Sequence, residues 1–276
     1  MDIKEIERLL ITTYRKDLYR PFIQAIAEYE LIKPGDRIAV CISGGKDSLT
    51  MAKLMQEYQR HGQVPIEVVY IVMDPGFTEE NVVALEENAK KMGIPIEIVK
   101  SDIFQVVERI AGDYPCYMCA RMRRGTLYSI AKQKGCNKIA LAHHFDDAIE
   151  TILLNIFYGG TYKCMMPKLK AQNFPGMELI RPLIYIKEKD IIRFIKQIGV
   201  TPMNCGCVVA CGKTSSKRRE VKNLIANMRK IYPNVDISIY RSAQNVNLNC
   251  ALGWKHGDKQ HSFLEYYDED IYSDEN

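Results

Sequence analysis

Short apolar runs alternate with helical patterns from residue 37 onward, and this alternation limits the folds open to the chain more than any other feature. The apolar runs that predict strands are "RIAVCIS" (37–43), "IEVVYIVMD" (66–74), "PIEIVK" (95–100), "KIALA" (138–142) and "ELIRPL" (178–183). Helical patterns cover residues 47–60, 79–92, 146–157 and 188–198. Such alternation is typical of an α/β fold, with a mostly parallel sheet of five strands and helices on both faces.

Two further segments flank this α/β pattern. Apolar residues recur at helical spacing before it, so residues 1–34 predict an N-terminal helical segment that "KPGD" (33–36) ends. We expect the α/β domain to cover residues 35–200 and a C-terminal extension to cover 201–276. The last twelve residues, 265–276, hold six acidic side chains and no basic one, which predicts a solvated tail.

The composition argues against membranes and disulfides. No apolar run approaches the ~18 residues that cross a bilayer. The start, "MDIKEIERLL", has charges among its apolar residues, so we expect no signal peptide and a cytoplasmic protein without a membrane partner. Thiols stay reduced in the cytoplasm, so the nine cysteines indicate metal binding or catalysis before disulfides.

The segment "SGGKDS", Ser43 to Ser48, lies between the first predicted strand and the helix after it, where open α/β sheets bind ligands. Gly44 and Gly45 let backbone N–H groups approach an anion, and the following helix presents its positive end. Lys46 adds a charge, and the two serines add hydroxyl donors. The segment fits neither the Walker A pattern nor G-x-G-x-x-G. It predicts a site for a phosphate or pyrophosphate.

A second polar cluster follows the fourth predicted strand. It consists of His143, His144, Asp146 and Asp147. Either these side chains bind a divalent ion, or the two acids cap and charge the start of the next helix, which we expect for at least one of them. The turn from Ala142 to His144 would then cradle a nucleotide, with Asp147 as an acid near the reacting centre. The apolar stripe of that helix predicts a face in the core: Ile149, Ile152, Leu153, Ile156 and Phe157.

Two groups of cysteines lie far apart in the chain. Cys116 and Cys119 form a C-x-x-C, and Cys205, Cys207 and Cys211 follow much later. Thiolates suit zinc and iron–sulfur clusters alike, and C-x-x-C with C-x-C would complete a structural zinc site. Spacing leaves both open, whereas a redox C-x-x-C would leave the second group unexplained. We interpret the other four cysteines as structural: Cys41, Cys136, Cys164 and Cys250.

Basic residues follow both cysteine groups. They are Arg121, Arg123 and Arg124 after the first, and Lys213, Lys217, Arg218 and Arg219 after the second. If the two groups meet, these charges form a basic rim suited to RNA phosphates. Each charge has the alternative of a solvated helix face, and we expect that for two or three of them. Lys163, Lys168 and Lys170 are similar candidates, and the pattern shows no aromatic stacking platform.

The segment "SGGKDS" resembles the PP-loop of ATP pyrophosphatases. The resemblance implies an adenine-nucleotide α-hydrolase-like fold and an enzyme that cleaves ATP between its α and β phosphates to adenylate a substrate. It implies that Asp74, at the end of the second strand, lies near the nucleotide and that Asp47 helps to hold Mg²⁺ on the phosphates. We therefore expect the loop residues 43–48, Asp74, Ala142 and His143 to bind ATP, and Lys46, Asp47 and Asp147 to serve catalysis.

Longer segments of the sequence resemble one family of these enzymes, the tRNA 2-thiocytidine synthetases, or tRNA-cytidine 2-sulfurtransferases. This resemblance covers most of residues 15–230. The blocks are "CYMCARMRRGTLYSIAKQKGCNKIALAHHFDDAIETILLNIFYGG", "MPKL", "LIRPLIYIKEKDI" and "KRREVKNLI". This implies an ATP-dependent tRNA thiolase that adenylates a pyrimidine carbonyl, C2 of an anticodon-loop cytidine. Sulfur delivered through a [4Fe–4S] cluster then replaces the oxygen.

The same resemblance implies the ligands and partners. Cys116, Cys119 and Cys211 would hold the cluster, with Cys207 or Cys205 as the alternative third ligand. The partners would be tRNA, a sulfur donor (a cysteine desulfurase or free sulfide) and a second copy in a homodimer. One alternative is another PP-loop ligase or amidase that keeps a structural zinc on the same cysteines. Another is a nucleotide-binding module without catalysis.

Overall fold

The computed structural model describes residues 1–62, 64–101, 115–203 and 216–268, without the side chains of 115–121 and 216. The chain divides into two compact units, Met1–Leu224 and Ile225–Asn276. The domain limits expected near residues 34 and 200 remain predictions.

The N-terminal segment forms three short helical pieces where the pattern predicted helix throughout. Helix α1 (Ile3–Ile11) begins with a capping box between Asp2 and Glu5 and buries its apolar stripe. A π-helical turn, Arg15–Tyr19, and helix α2 (Arg20–Glu28) follow.

The central sheet has six strands in the order β3-β2-β1-β4-β6-β5. The strands are β1 (Arg37–Ile42), β2 (Glu67–Asp74), β3 (Ile96–Lys100), β4 (Lys138–Ala140), β5 (Lys168–Lys170) and β6 (Glu178–Ile180). The five predicted strands are all present and parallel, as expected. Strand β5, which the sequence did not reveal, runs antiparallel to β6 at the edge. It has three residues, two of them lysines, so it lacks an apolar run.

Helices cover the sheet on both faces. In the first unit they are α3 (Lys46–His61), α4 (Glu79–Met92), α5 (Pro115–Gln133), α6 (Phe145–Gly159), α7 (Glu188–Gln197) and the start of α8 (Ser216–Ile231). Helix α3 is buried over most of its length. Tyr128 of α5 packs in one core cluster with Cys41 and Cys136, two of the cysteines that we interpreted as structural.

One predicted core face is wrong in its second half. Ile149 and Ile152 of α6 are fully buried, as the apolar stripe predicted. Ile156 and Phe157, assigned to the same stripe, are 41% and 53% exposed. The last turn of α6 therefore extends past the layer that covers its first half, which helical periodicity cannot reveal.

The order of the strands places the ligand site. Strand β1 pairs with β2 on one side and with β4 on the other. The connections after β1 and β4 therefore leave the sheet in opposite directions and open a crevice between their carboxyl ends. Both polar clusters singled out in the sequence, residues 43–48 and 143–147, begin at this crevice.

The second unit contains the rest of α8, helix α9 (Val235–Gln244) and a hairpin of β7 (Gly253–His256) and β8 (Lys259–Ser262). Trp254 stacks on His261 at 5.4 Å and on Tyr266 at 5.7 Å between ring centroids. The hairpin was not predicted, and most of the acidic tail lies outside the described residues. Across the described parts of both units, every helix is too short or too polar to cross a membrane.

Candidate active site

The turn after β1 closes on itself through its two serines. The backbone N–H of Ser43 donates to Ser48 Oγ at 3.1 Å, and the Ser48 hydroxyl donates to the Gly45 carbonyl at 2.9 Å. The Ser43 hydroxyl also donates to Ser48 Oγ at 3.2 Å. The serine hydroxyls that we expected to bind phosphate therefore also form hydrogen bonds that shape the turn.

Helix α3 presents an open N-terminus to this turn. Its N-cap is Gly45, and among the described residues no side chain caps its first N–H groups. Unpaired N–H groups and the positive end of the helix dipole favour an anion here. The geometry fits the phosphate site predicted for residues 43–48.

Gly44 is required by its own backbone and by a distant neighbour. Its φ of 81° is left-handed, which L side chains avoid. A Cβ on Gly44 would lie 2.4 Å from Sδ of Met203, and the Met203 N–H donates to the Gly44 carbonyl at 3.0 Å. The chain just before the second cysteine group is therefore fastened to the turn.

Lys46 lies between two carboxylates. Its Nζ is 3.0 Å from Oδ2 of Asp47 and 3.1 Å from Oε1 of Glu188, the first residue of α7. Burial lowers the pKa of Lys46, but the two carboxylates raise it by more than burial lowers it. The pKa of Lys46 therefore lies above its ordinary value. Lys46 is thus a cation at the open helix end.

Glu188 is a site residue that the sequence did not reveal. It also bonds Nζ of Lys222 at 2.7 Å. Burial raises the pKa of Glu188, yet the bonds to Lys222 and Lys46 outweigh it and hold that pKa at about 2. In sequence it looks like an ordinary acid in the first turn of a helix, and only its contacts distinguish it.

The start of α6 uses a histidine as its cap. His144 Nδ1 accepts from the Asp147 N–H at 3.4 Å, and Asp147 Oδ2 accepts from the His144 N–H at 3.0 Å. The predicted capping is thus present for Asp147, but the N-cap itself is His144. Because Nδ1 accepts, we assign the imidazole proton to Nε2, which lies 3.7 Å from Asp47 Oδ1.

This oxygen, Asp47 Oδ1, is suited to bind a cation. Asp47 Oδ1 is buried and, within the described parts of the chain, accepts no hydrogen bond. A buried carboxylate oxygen without a donor is costly. A divalent ion would satisfy it, because Mg²⁺ prefers carboxylate oxygens and phosphates.

The alternative of a metal bound by adjacent histidines is wrong for the described residues. The two imidazoles diverge, since His143 Nδ1 accepts from Nε of Arg181 at 3.3 Å while His144 faces the two aspartates. No group of three or more potential metal ligands occurs among the residues described. Burial and the charge of Arg181 lower the pKa of His143 to about 4, so this side chain is neutral at pH 7.

Arg218 of α8 contacts the acids at the start of α6. Its Nη1 is 3.1 Å from Asp147 Oδ1 and 3.3 Å from Glu150 Oε2. Arg218, predicted to bind RNA, thus lies against the acid predicted to serve catalysis. Lys222, four residues on and therefore on the same face of α8, bonds Glu188.

The remaining predicted residues take varied positions. Asp74 ends β2 and accepts from the N–H groups of Gly76 at 2.8 Å and Phe77 at 2.6 Å, so its carboxylate also shapes a turn. Ala142 lies partly buried between β4 and the cap of α6. Lys168 does not project freely, since its Nζ donates to the Glu30 carbonyl at 2.8 Å.

The basic residues near the cysteines are described in part. Arg124 of α5 is exposed, yet its charge contributes to the lowered pKa values of His143 and Arg181, so α5 passes close to the site. Arg123 is half-buried, and Lys217 and Arg219 are exposed. The side chain of Arg121 and the whole of Lys213 lie outside the described residues.

The side chains of the cysteines predicted to bind metal lie outside the described part of the structure. Cys116 and Cys119 lie three residues apart at the start of α5, but only their backbone is described. Cys205, Cys207 and Cys211 lie outside the described residues. Of the other four, Cys41 and Cys136 are buried, Cys164 is half-buried and Cys250 is exposed.

The fold and the open helix end define a class of protein. A family model described as a PP-loop domain matches residues 15–203. In structure, the chain is similar to the U34-tRNA thiolase NcsA from Methanococcus maripaludis with its [4Fe–4S] cluster. The two share a TM-score of 0.64 and 25% identity over 88% of this chain and 77% of that one.

Curated relatives are similar over most of their length. The tRNA-cytidine(32) 2-sulfurtransferase of Citrifermentans bemidjiense is 40% identical over 227 residues, which are 81% of this chain and 88% of the relative. That of Alcanivorax borkumensis is 38% identical over 248 residues, 87% of this chain and 84% of the relative. The chain therefore belongs to the tRNA-cytidine 2-sulfurtransferase family of PP-loop enzymes, as the sequence resemblance indicated.

Proposed function

We propose that the protein is an ATP-dependent tRNA thiolase that replaces the C2 oxygen of cytidine 32 with sulfur. The observation that supports this most directly is the open start of α3, with Lys46 beside it and Asp47 Oδ1, a buried oxygen that accepts no hydrogen bond from the residues the structure describes. A pyrophosphate with a divalent ion satisfies all three features at once. The names of the relatives supply the RNA substrate and the modified base.

ATP would bind with its phosphates at the start of α3. Lys46 then exchanges the Glu188 carboxylate for phosphate oxygens, and the N–H groups of the first helical turn donate to the same phosphates. Mg²⁺ held by Asp47 would offset the charge that builds up on the pyrophosphate leaving group. Asp74 and Ala142 line the same crevice and remain proposed nucleotide contacts.

The proposed reaction has two steps, adenylation of the base and replacement of the adenylated oxygen by sulfur. The C2 oxygen of the base attacks the α-phosphorus of ATP, the α–β bridging bond breaks, and pyrophosphate leaves. Sulfur at the oxidation level of sulfide then bonds to C2, and the adenylated oxygen leaves as AMP. Asp147 is oriented by the His144 N–H and by Arg218, so its carboxylate would stabilise the positive charge that adenylation leaves on the base.

We propose Cys116, Cys119 and Cys211, with Cys207 as the alternative, as ligands of a [4Fe–4S] cluster. When bound, the cluster would supply an iron that holds sulfur beside C2. Thiolates are the usual ligands of such clusters. A cysteine desulfurase or free sulfide would donate the sulfur, and a homodimer is a further expectation from the family.

The described residues on either side of the second cysteine group support this placement. Met203 bonds Gly44, and Arg218 bonds Asp147, so both flanks of the interval lie at the site. On α5, Arg124 influences His143 and lies only about 8 Å along the helix from Cys119.

The test is an anaerobic assay with ATP, Mg²⁺, sulfide and unmodified tRNA. We expect AMP and pyrophosphate to form only with tRNA, and 2-thiocytidine to appear at position 32 in the digested nucleosides. Asp47→Asn should abolish both products, whereas Glu80→Gln, an exposed acid in the first turn of α4, should abolish neither. Pyrophosphate release that no RNA stimulates would refute the proposal. Zinc in place of iron in active protein would refute the cluster.

A further inference from the structure

The last turn of α6 exposes apolar side chains that a helix normally buries. Phe157 is 53% exposed and Tyr158 is 45% exposed, although the same helix begins deep in the core. Contiguous exposed apolar patches on soluble proteins mark binding surfaces.

The loop after α6 is fixed against this helix end. Asn155 Nδ2 donates to the Thr151 carbonyl at 2.8 Å and to the Lys163 carbonyl at 3.2 Å. The Thr161 N–H donates back to the Asn155 carbonyl at 3.1 Å. These bonds hold Tyr162, which is 42% exposed, beside the last turn of α6. We call Phe157, Tyr158 and Tyr162 the aromatic platform.

A cation contacts the aromatic platform, and two more lie close to it in the sequence. Lys217 Nζ lies 4.8 Å from the centroid of the Tyr158 ring, and Arg219 and Lys163 are exposed nearby in the chain. One acid, Glu220, accepts the Tyr158 hydroxyl at 2.6 Å. Exposed rings among cations form the surface that binds unpaired nucleotides, because bases stack on the rings while phosphates pair with the cations.

The aromatic platform is connected to the active site. Asp147 lies in the first turn of α6, and Phe157 follows ten residues later, about 15 Å along the helix. Lys217 adjoins Arg218, which bonds Asp147, so cations extend from the reacting centre to the platform. An RNA strand with one base at Asp147 would reach it with neighbouring nucleotides.

We propose that the aromatic platform binds unpaired anticodon-loop nucleotides next to the target cytidine, with bases on Phe157 and Tyr162 and phosphates on Lys163, Lys217 and Arg219. This inference rests on the proposed function and adds a recognition surface to it. Sequence reasoning missed the surface because Phe157 was assigned to the core and the tyrosines follow no pattern.

The experiment measures binding of a fluorescent anticodon stem-loop RNA to the full-length protein by anisotropy. Loss of one stacked base corresponds to roughly 5- to 150-fold in Kd, so we expect Phe157→Ala to weaken binding at least about fivefold. Phe157→Tyr keeps a ring and should bind like the unmodified protein. Lys163→Ala should lower the slope of log Kd against log salt by about 0.7. Val83→Ala, at a 53% exposed site on α4, is the matched control.

The outcomes separate this inference from the proposed function. If the unmodified protein binds no tRNA, the proposed function itself fails. If it binds tRNA and both Phe157→Ala and Tyr162→Ala bind equally well, only the aromatic platform is refuted. If Phe157→Ala converts a dimer into a monomer, seen by light scattering, without a change in Kd, the surface is an interface between copies. Should Phe157→Ala fail to fold, the Lys163→Ala salt slope and Tyr162→Ala decide.

Discussion

Replacing Glu188 with glutamine removes the carboxylate that joins Lys46 of the turn to Lys222 of α8. The two lysines hold the pKa of Glu188 at about 2, against 4.5 for a free glutamate, although burial acts in the opposite direction. At 1.36 kcal/mol for each pKa unit, the folded protein favours the ionised form by about 3 kcal/mol. Glutamine retains one acceptor oxygen, so we expect Glu188→Gln to lower the free energy of unfolding by about 2 kcal/mol at pH 7.

The pH dependence of this difference follows from the sign of the pKa change. Because the folded pKa of Glu188 lies below the unfolded one, its contribution is complete above about pH 4.5 and is lost as the pH falls towards 2. About 1 kcal/mol of it should be gone at pH 4. The gap between the unmodified protein and Glu188→Gln therefore narrows on acidification.

The same change should affect nucleotide binding. In the proposed complex the phosphates compete with the Glu188 carboxylate for Lys46, and a half-buried pair of this kind contributes about 0.5–1 kcal/mol. We expect Glu188→Gln to bind ATP about two- to fivefold more tightly by calorimetry.

Urea unfolding followed by circular dichroism at pH 7 and pH 4 checks the stability of the variant. Glu80→Gln, at an exposed acid in the first turn of α4, is the control and should stay within about 0.5 kcal/mol. Equal stability of Glu188→Gln and the unmodified protein at pH 7, or a gap unchanged at pH 4, would refute the electrostatic reasoning. Weaker ATP binding would refute the competition for Lys46.

Three further perturbations test other parts of the site. Gly44→Ala forces an alanine into left-handed backbone and creates a clash with Met203, so the free energy of unfolding should fall by about 2–4 kcal/mol in the urea assay. Gly176→Ala is the control, because Gly176 has the same φ of 81° but open space around it, and it should lose only about 1 kcal/mol. Arg218→Met should lower the thiolation kcat at least about tenfold and leave the slope of log Kd for tRNA against log salt unchanged. Arg219→Met should lower that slope and leave kcat unchanged. If Arg218→Met instead lowers the slope and leaves kcat unchanged, Arg218 is a phosphate contact. The pKa of His143 is about 4 in the folded protein and 6.5 when free, so the free energy of unfolding should fall by about 2 kcal/mol from pH 7.5 to pH 5. In unfolding titrations, His143→Gln should remove that decline. An undiminished decline in the variant would contradict the lowered pKa.

Prediction from the sequence succeeded where local chemistry and periodicity coincide. The five parallel strands are short apolar runs, and β1 and β4 are buried along nearly their whole length. The turn at residues 43–48 carries its glycines and lysine directly after the first of these runs. Strand β5 escaped because three residues with two lysines carry no periodic signal. Phe157 was misassigned because periodicity gives the face of a helix but not where the covering layer ends.

By itself, the sequence determined the five parallel strands and most of the helices between them, the glycine turn at the carboxyl end of β1 and the kinship with a family of tRNA-modifying enzymes. These depend on short-range backbone geometry and on patterns a few residues long. Only the tertiary structure decided that Lys46 and Lys222 both pair with Glu188, that Met203 covers Gly44 and that Arg218 faces Asp147. These contacts join residues far apart in the chain, and their electrostatic and steric energies depend on distances that exist only after the sheet and α8 have packed together.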